Sequence, residues 1–98
     1  MSASGFKPFG ALAVVGLGLI GGSFARDVRR LVLARQIIGY DNNKAYLKEI
    51  SSLNLVDYLA ATPDEKLAEA ELVLLAVPVK AFAEVLAQIR PHLSTSAI

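Results

Sequence analysis

The chain alternates short, almost wholly apolar runs with longer stretches in which apolar residues recur at helical spacing. Residues 11–15 are uninterrupted Ala, Leu and Val and stop at Gly16, the pattern of a strand covered on both faces. From residue 19 to about 34, Ile20, Phe24, Val28 and Leu31 share one side of a helical wheel, while Arg26, Arg29, Arg30 and Arg35 fall elsewhere. That spacing predicts an amphipathic helix burying the four apolar side chains. Residues 36–40 form a second short strand ending before Asp41, and Asn42 or Asn43 caps a helix reaching about residue 52. A weaker strand is expected over 58–60. Thr62-Pro63-Asp64-Glu65 then offers an N-cap, a proline at the first helical position and a glutamate at the third, predicting a helix that closes at Glu71. Residues 72–77 are another apolar strand, broken by Pro78. A last helix is expected to bury Phe82, Val85, Leu86 and Ile89, spaced i, i+3, i+4 and i+7.

Strands alternating with helices imply parallel pairing through right-handed crossovers. The expected fold is therefore α/β, a doubly wound parallel sheet of the Rossmann type with strand order 3-2-1-4. Residues 96–98 would open a fifth strand that the chain does not finish, leaving the fourth as an edge that invites self-association. Residues 1–10, with Gly5, Pro8 and Gly10, read as an irregular lead-in, and no repeat or low-complexity tract follows.

Composition narrows the function. At 98 residues the chain is one domain, 1–98, better sized for a binding module than for a complete catalyst. Hydrophobic residues make up 54% and the formal charge is +1, so no nucleic-acid patch or acidic tail is indicated and a small-molecule partner is expected. With no cysteine and one histidine, disulfides, thiolate chemistry and metal clusters are not expected. The most apolar stretch, residues 11–25, is interrupted by glycines and ends at Arg26, too short for a bilayer. With no leader of the secretory type in view, a cytoplasmic location is expected.

Chemistry concentrates at Gly16-Leu17-Gly18-Leu19-Ile20-Gly21, a G-x-G-x-x-G sequence placed directly between a strand and a helix. In that context Gly16 permits the tight turn, Gly18 admits a pyrophosphate to the backbone, and Gly21 lets the helix approach the strand. The N–H groups of the first helical turn, those of Leu19 and Ile20 among them, would face the phosphates. Asp41 ends the second strand at the roughly twenty-residue spacing where a carboxylate accepts the adenosine ribose hydroxyls, with Asn42 beside it. A carboxylate there repels the additional phosphate of NADP, so NAD is the expected cofactor. The alternative for Asp41 is a turn or cap aspartate. Val77 and Pro78, at the carboxyl end of the fourth strand, would wall the nicotinamide end, unless Pro78 only stops a strand. Lys44, His92 and the Arg29-Arg30 pair read as solvated groups.

The segment Val14-Val15-Gly16-Leu17-Gly18-Leu19-Ile20-Gly21-Gly22-Ser23, followed by Ile38-Gly39-Tyr40-Asp41 and Leu74-Leu75-Ala76-Val77-Pro78-Val79, resembles the prephenate and arogenate dehydrogenases of tyrosine biosynthesis. Leu53-Asn54-Leu55-Val56-Asp57 is similar to a stretch common there, with asparagine where those enzymes carry glycine. The resemblance covers nearly everything after Gly10. It implies an NAD-dependent dehydrogenase that oxidatively decarboxylates prephenate or arogenate, with a histidine taking the hydroxyl proton, and a homodimeric parent. It also implies that the catalytic serine and histidine follow the fifth strand, beyond Ile98, as does a helical dimerisation domain. His92 does not match that histidine, so no catalytic residue is placed on this chain, and cofactor binding without turnover is expected of it. The alternatives are another β-hydroxyacid or imine dehydrogenase, a nucleotide-sensing module in which NAD is a signal, and an S-adenosylmethionine-binding methyltransferase, against which Gly21 speaks.

Overall fold

The structure, a computed structural model, describes residues 9–95 and 97–98. The expected lead-in therefore lies outside the described residues as far as Pro8, as does Ser96. Four strands, β1 (Phe9–Val15), β2 (Ala34–Tyr40), β3 (Tyr58–Ala60) and β4 (Leu72–Leu75), form one parallel sheet in the order β3-β2-β1-β4. Leu12 pairs with Ile37 on one side and Leu72 on the other, so β1 is the central rail.

Alternation along β1 separates two cores. Ala11, Ala13 and Val15 face a cluster holding Ile38, Tyr40, Leu67, Ala70 and Ile89. Leu12 and Val14 face Ala25, Val28, Ile37 and Ile50. Each fully buried large apolar side chain contributes about 1.5–3 kcal/mol. β1 begins earlier than its apolar run suggests, because Phe9 N–H bonds the Leu33 carbonyl at 2.9 Å and Gly10 N–H the Glu71 carboxylate at 2.8 Å.

The first helix, α1 (Leu19–Leu31), buries Val28 as expected and packs a half-buried Phe24 against the core, but the rest of its buried face is Gly21, Gly22 and Ala25 and not Ile20 or Leu31. Ile20 is 76% exposed and Leu31 about half exposed, both on a flank of the buried stripe. Small residues let the helix sit close to β1, and hydrophobicity alone does not register that. The helix also stops short of residue 34. Val32 turns left-handed at φ 54° and bonds the Arg29 carbonyl, while Leu33 N–H bonds that of Val28, a Schellman closure that frees Ala34 to start β2.

Asn43, not Asn42, caps α2 (Lys44–Leu53), its side chain accepting from the N–H groups of Ala45 and Tyr46 at 2.9 and 3.2 Å. Asn54 ends this helix at φ 54°. A glycine suits that left-handed position, and asparagine is the side chain that tolerates it best.

The expected helix start at Thr62 is corrected. The cap is Asp64, whose carboxylate accepts Lys66 N–H at 3.1 Å, and a single 3-10 turn, Glu65–Glu69, follows. Thr62 is not the cap, nor Pro63 the first helical residue. The Asp64 carboxylate is drawn toward the sheet instead, where the Tyr40 hydroxyl donates to it at 2.7 Å and the Tyr58 hydroxyl donates as well.

β4 is shorter than predicted: Ala76 N–H still bonds the Val15 carbonyl, but Val77 and Pro78 leave the sheet for a 3-10 turn, Val79–Ala81. In α3 (Phe82–Ile89) only Ile89 is buried and Val85 half-buried, the two that join the core cluster, while Phe82 and Leu86 stay exposed. At the edge of β4, Ile98 N–H bonds the Glu71 carbonyl and its own carbonyl accepts from Val73, the hydrogen-bond pattern that opens a fifth parallel strand. That edge is thus occupied at its start.

Candidate functional site

A cleft of about 410 Å³ opens at the carboxyl ends of the strands, where open α/β sheets bind ligands. It brings together Gly16, Gly18, Asp41, Asn42, Val77 and Pro78, six of the residues singled out in the sequence.

The glycines hold three different positions. Gly16 has φ +102°, and a Cβ there would stand 2.4 Å from the Ala76 carbonyl oxygen. At Gly21 a Cβ would stand 1.8 Å from the Gly16 carbonyl oxygen, so the turn and the helix behind it fit only without side chains. Gly18 differs. Its φ is −68°, open to any residue, and a Cβ would meet nothing nearer than the Tyr46 ring at 3.5 Å, an ordinary contact. The protein's own packing does not require glycine at position 18. A side chain there would fill the cleft, so its bareness suits a ligand lying against the backbone.

Leu19 and Ile20 open the first turn of α1. The Gly22 N–H bond to the Gly18 carbonyl, at 2.8 Å, starts the helical ladder, and helix geometry leaves the N–H groups before it without ladder partners. Such donors, together with the positive end of the helix dipole, make the start of a helix a favourable place for an anion.

Asp41 is held tightly. Its own N–H bonds the Ala60 carbonyl at 3.2 Å, one carboxylate oxygen accepts Leu17 N–H at 2.6 Å, and the other accepts Asn43 N–H at 2.8 Å. The carboxylate thus staples the glycine turn to the start of α2. A carboxylate offers about four acceptor sites, so two remain for hydroxyl donors in the cleft.

Sequence reading missed Tyr46, Ala61, Pro63, Ala76, Ala81, Glu84, Val85 and Gln88, which also line the cleft. They come from α2, the turn after β3 and the end of β4 with the helix beyond it, whose convergence is tertiary. Among the described residues, the lining carries the carboxylates of Asp41 and Glu84 and no lysine or arginine. Its anion-binding power therefore rests on backbone and dipole.

Beneath the cleft, Tyr40, Tyr58 and Asp64 form a polar knot. Burial, then the hydrogen bond to Asp64, pushes the Tyr40 phenol well above its ordinary value. Burial alone would raise the Asp64 carboxyl, but hydrogen bonds from Tyr58, Tyr40 and Lys66 N–H outweigh it and hold the group below the usual range. The one sequence signal was a tyrosine in an aliphatic strand, whose buried hydroxyl needs a partner. Arg29, read as solvated, bonds the Leu55 carbonyl and pairs with Asp57 at 3.0 Å, while Arg30 pairs only with Asp27 on the surface of α1. Lys44 is exposed, as expected, and His92 half-buried. Among the described residues no group of three metal-ligating side chains occurs, and no helix is long and apolar enough to cross a membrane.

A second, shallower groove of about 290 Å³ runs between α1 and α2, sharing Gly18 and Tyr46 with the cleft and lined further by Arg26, Glu49 and Leu53.

Residues 24–98 match the family model of the prephenate dehydrogenase nucleotide-binding domain. The chain is 36% identical over 90 residues to a cyclohexadienyl dehydrogenase from Zymomonas mobilis subsp. mobilis, covering 92% of this chain and 31% of that protein. Among solved structures, it is similar to a prephenate dehydrogenase from A. aeolicus in complex with hydroxyphenyl propionate and NAD+, with TM-score 0.80, 29% identity, and coverage of 93% of this chain and 32% of that one. A second structure of prephenate dehydrogenase from Aquifex aeolicus gives TM-score 0.75 and 30% identity over 88% of this chain and 31% of that one. The chain spans about a third of the length of these relatives.

Proposed function

The chain belongs to the family of prephenate dehydrogenase nucleotide-binding domains, and from that premise we propose that it binds NAD across the carboxyl edge of its sheet, as the cofactor-holding part of a dehydrogenase acting on prephenate or arogenate. The observation that carries this reading is Gly18, bare on the cleft floor where the fold itself would accept a side chain. The N–H groups of Leu19 and Ile20 hold the pyrophosphate, with Gly16 and Gly21 shaping the turn beneath it. Asp41, fixed by its bonds to Leu17 and Asn43, accepts from the adenosine ribose hydroxyls, and Asn42 borders the same sugar. Val77 and Pro78 present an apolar wall toward the nicotinamide end.

When bound, the nicotinamide supplies the hydride acceptor for the substrate's carbinol carbon; carbon dioxide leaves and the ring becomes aromatic. Residues of this chain bind and orient, and none of them is assigned the proton transfer. The parent is proposed to be a cytoplasmic homodimer whose partners are small molecules, not nucleic acid or membrane.

With two carboxylates and no cation among the described residues that line the cleft, a third phosphate meets repulsion without compensation. Calorimetric titration of the chain is expected to show NAD bound in preference to NADP, and Asp41→Ala is expected to lose about 1.5–3 kcal/mol of NAD affinity. Equal affinity for the two nucleotides, unchanged in the variant, would contradict the assignment of Asp41.

A further inference from the structure

Beyond Asp41 the cleft continues to a wall that the glycine motif does not explain. Ala61 and Pro63, after β3, form one side, and Glu84, Val85 and Gln88 of α3 form the other. Val85 belongs to the apolar cluster of Tyr40, Tyr58 and Ala60, so α3 lies on the sheet face opposite α1. Glu84 and Gln88, four residues apart, share one side of the helix. Neither side chain makes a hydrogen bond or ion pair with another described residue. A carboxylate and an amide without partners, lining the cleft together with Ala61, Pro63 and Val85, suit a heteroaromatic ring with both donor and acceptor atoms on its edge.

Resting on the dinucleotide reading above, the geometry points to Glu84 and Gln88 as the pair that selects adenine among purine bases. The 6-amino group of adenine donates to the Glu84 carboxylate. The Gln88 amide, with one donor and one acceptor arm, matches the amino and ring nitrogens of the same edge. A 6-oxo purine places an acceptor oxygen where the amino group stood, and that oxygen then meets the Glu84 carboxylate, acceptor against acceptor. Glu84 is thus the discriminating residue, and Gln88, which can rotate its amide to suit either base, the adaptable one.

The test titrates the chain with NAD and with nicotinamide hypoxanthine dinucleotide, which differs from NAD only in that oxo group. Both side chains are exposed, so the wild-type chain is expected to prefer NAD by about three- to tenfold. In Glu84→Ala that ratio falls to near one, because NAD binding weakens while analogue binding holds or improves. A merely structural role for Glu84 would weaken both ligands together, and circular dichroism of the variant checks that α3 persists. Equal binding of the two dinucleotides by the wild-type chain, or an unchanged ratio in the variant, overturns the inference and leaves the NAD assignment standing. Failure of the wild-type chain to bind either dinucleotide overturns both.

Discussion

At the scale of single residues, the glycine turn separates what the fold needs from what a ligand needs. Gly16 and Gly21 are demanded by the protein: the first by its positive φ, and both by backbone oxygens that a Cβ would overlap. Gly18 is not so constrained. Gly18→Ala is therefore expected to change stability by no more than about 1 kcal/mol, the order of a helix-cap substitution, yet to lose most NAD binding. Gly21→Ala is expected to lose both, because helix and turn must separate. Thermal unfolding and calorimetry of the two variants, run in parallel, check this. Equal loss of stability in both would show that Gly18, too, is structural. Sequence spacing located all three glycines and gave each its own role, a tight turn at Gly16, room for a ligand at Gly18 and close helix packing at Gly21; the distances to neighbouring backbone show how absolute the first and last of these are.

Among the elements, strands were more legible than helices. The order β3-β2-β1-β4 and the three residues of β3 follow from short apolar runs bounded by turn residues, since a strand buried on both faces has no other pattern to show. Helix faces were misjudged where small residues set the contact, as with Gly21 and Ala25 in α1. Asp64 was legible as a helix-start residue but not as the acceptor of two tyrosine hydroxyls, because β2 and β3 contribute those from separate parts of the chain. This knot fixes the pH response of the floor of the cleft. The Asp64 carboxyl titrates lower folded than unfolded, so its contribution is present above the unfolded value of about 3.9 and is lost as pH falls through the lower folded value. Asp57, held low by Ile37 N–H and Arg29 against the opposing effect of burial, adds acid sensitivity of the same sign. Asp64→Asn is expected to cost about 1–2 kcal/mol at neutral pH and to flatten the acid limb of the stability curve. Denaturant melts between pH 3 and 7, a window of about these carboxylate values, decide it. A variant as acid-sensitive as the wild-type chain would place that sensitivity elsewhere.

Over the whole molecule, the sheet and its two cores serve to hold a set of backbone donors, one stapled carboxylate and one α3 wall around a single cleft. The parts nearest the glycine motif were readable from local spacing. Tyr46, Glu84 and Gln88 were not, because their place in the cleft depends on how α2 and α3 fold back across the sheet. The measurement that bears most directly on this account is an amide-resolved NMR titration of the chain with NAD. Saturable shifts are predicted at Gly18, Leu19, Ile20 and Gly21, at Asn42 and at Val77, with Arg26, Glu49 and Leu53 of the neighbouring groove unmoved. No saturable shift, or shifts confined to that groove between α1 and α2, would contradict the claim that the carboxyl edge of the sheet is a dinucleotide site.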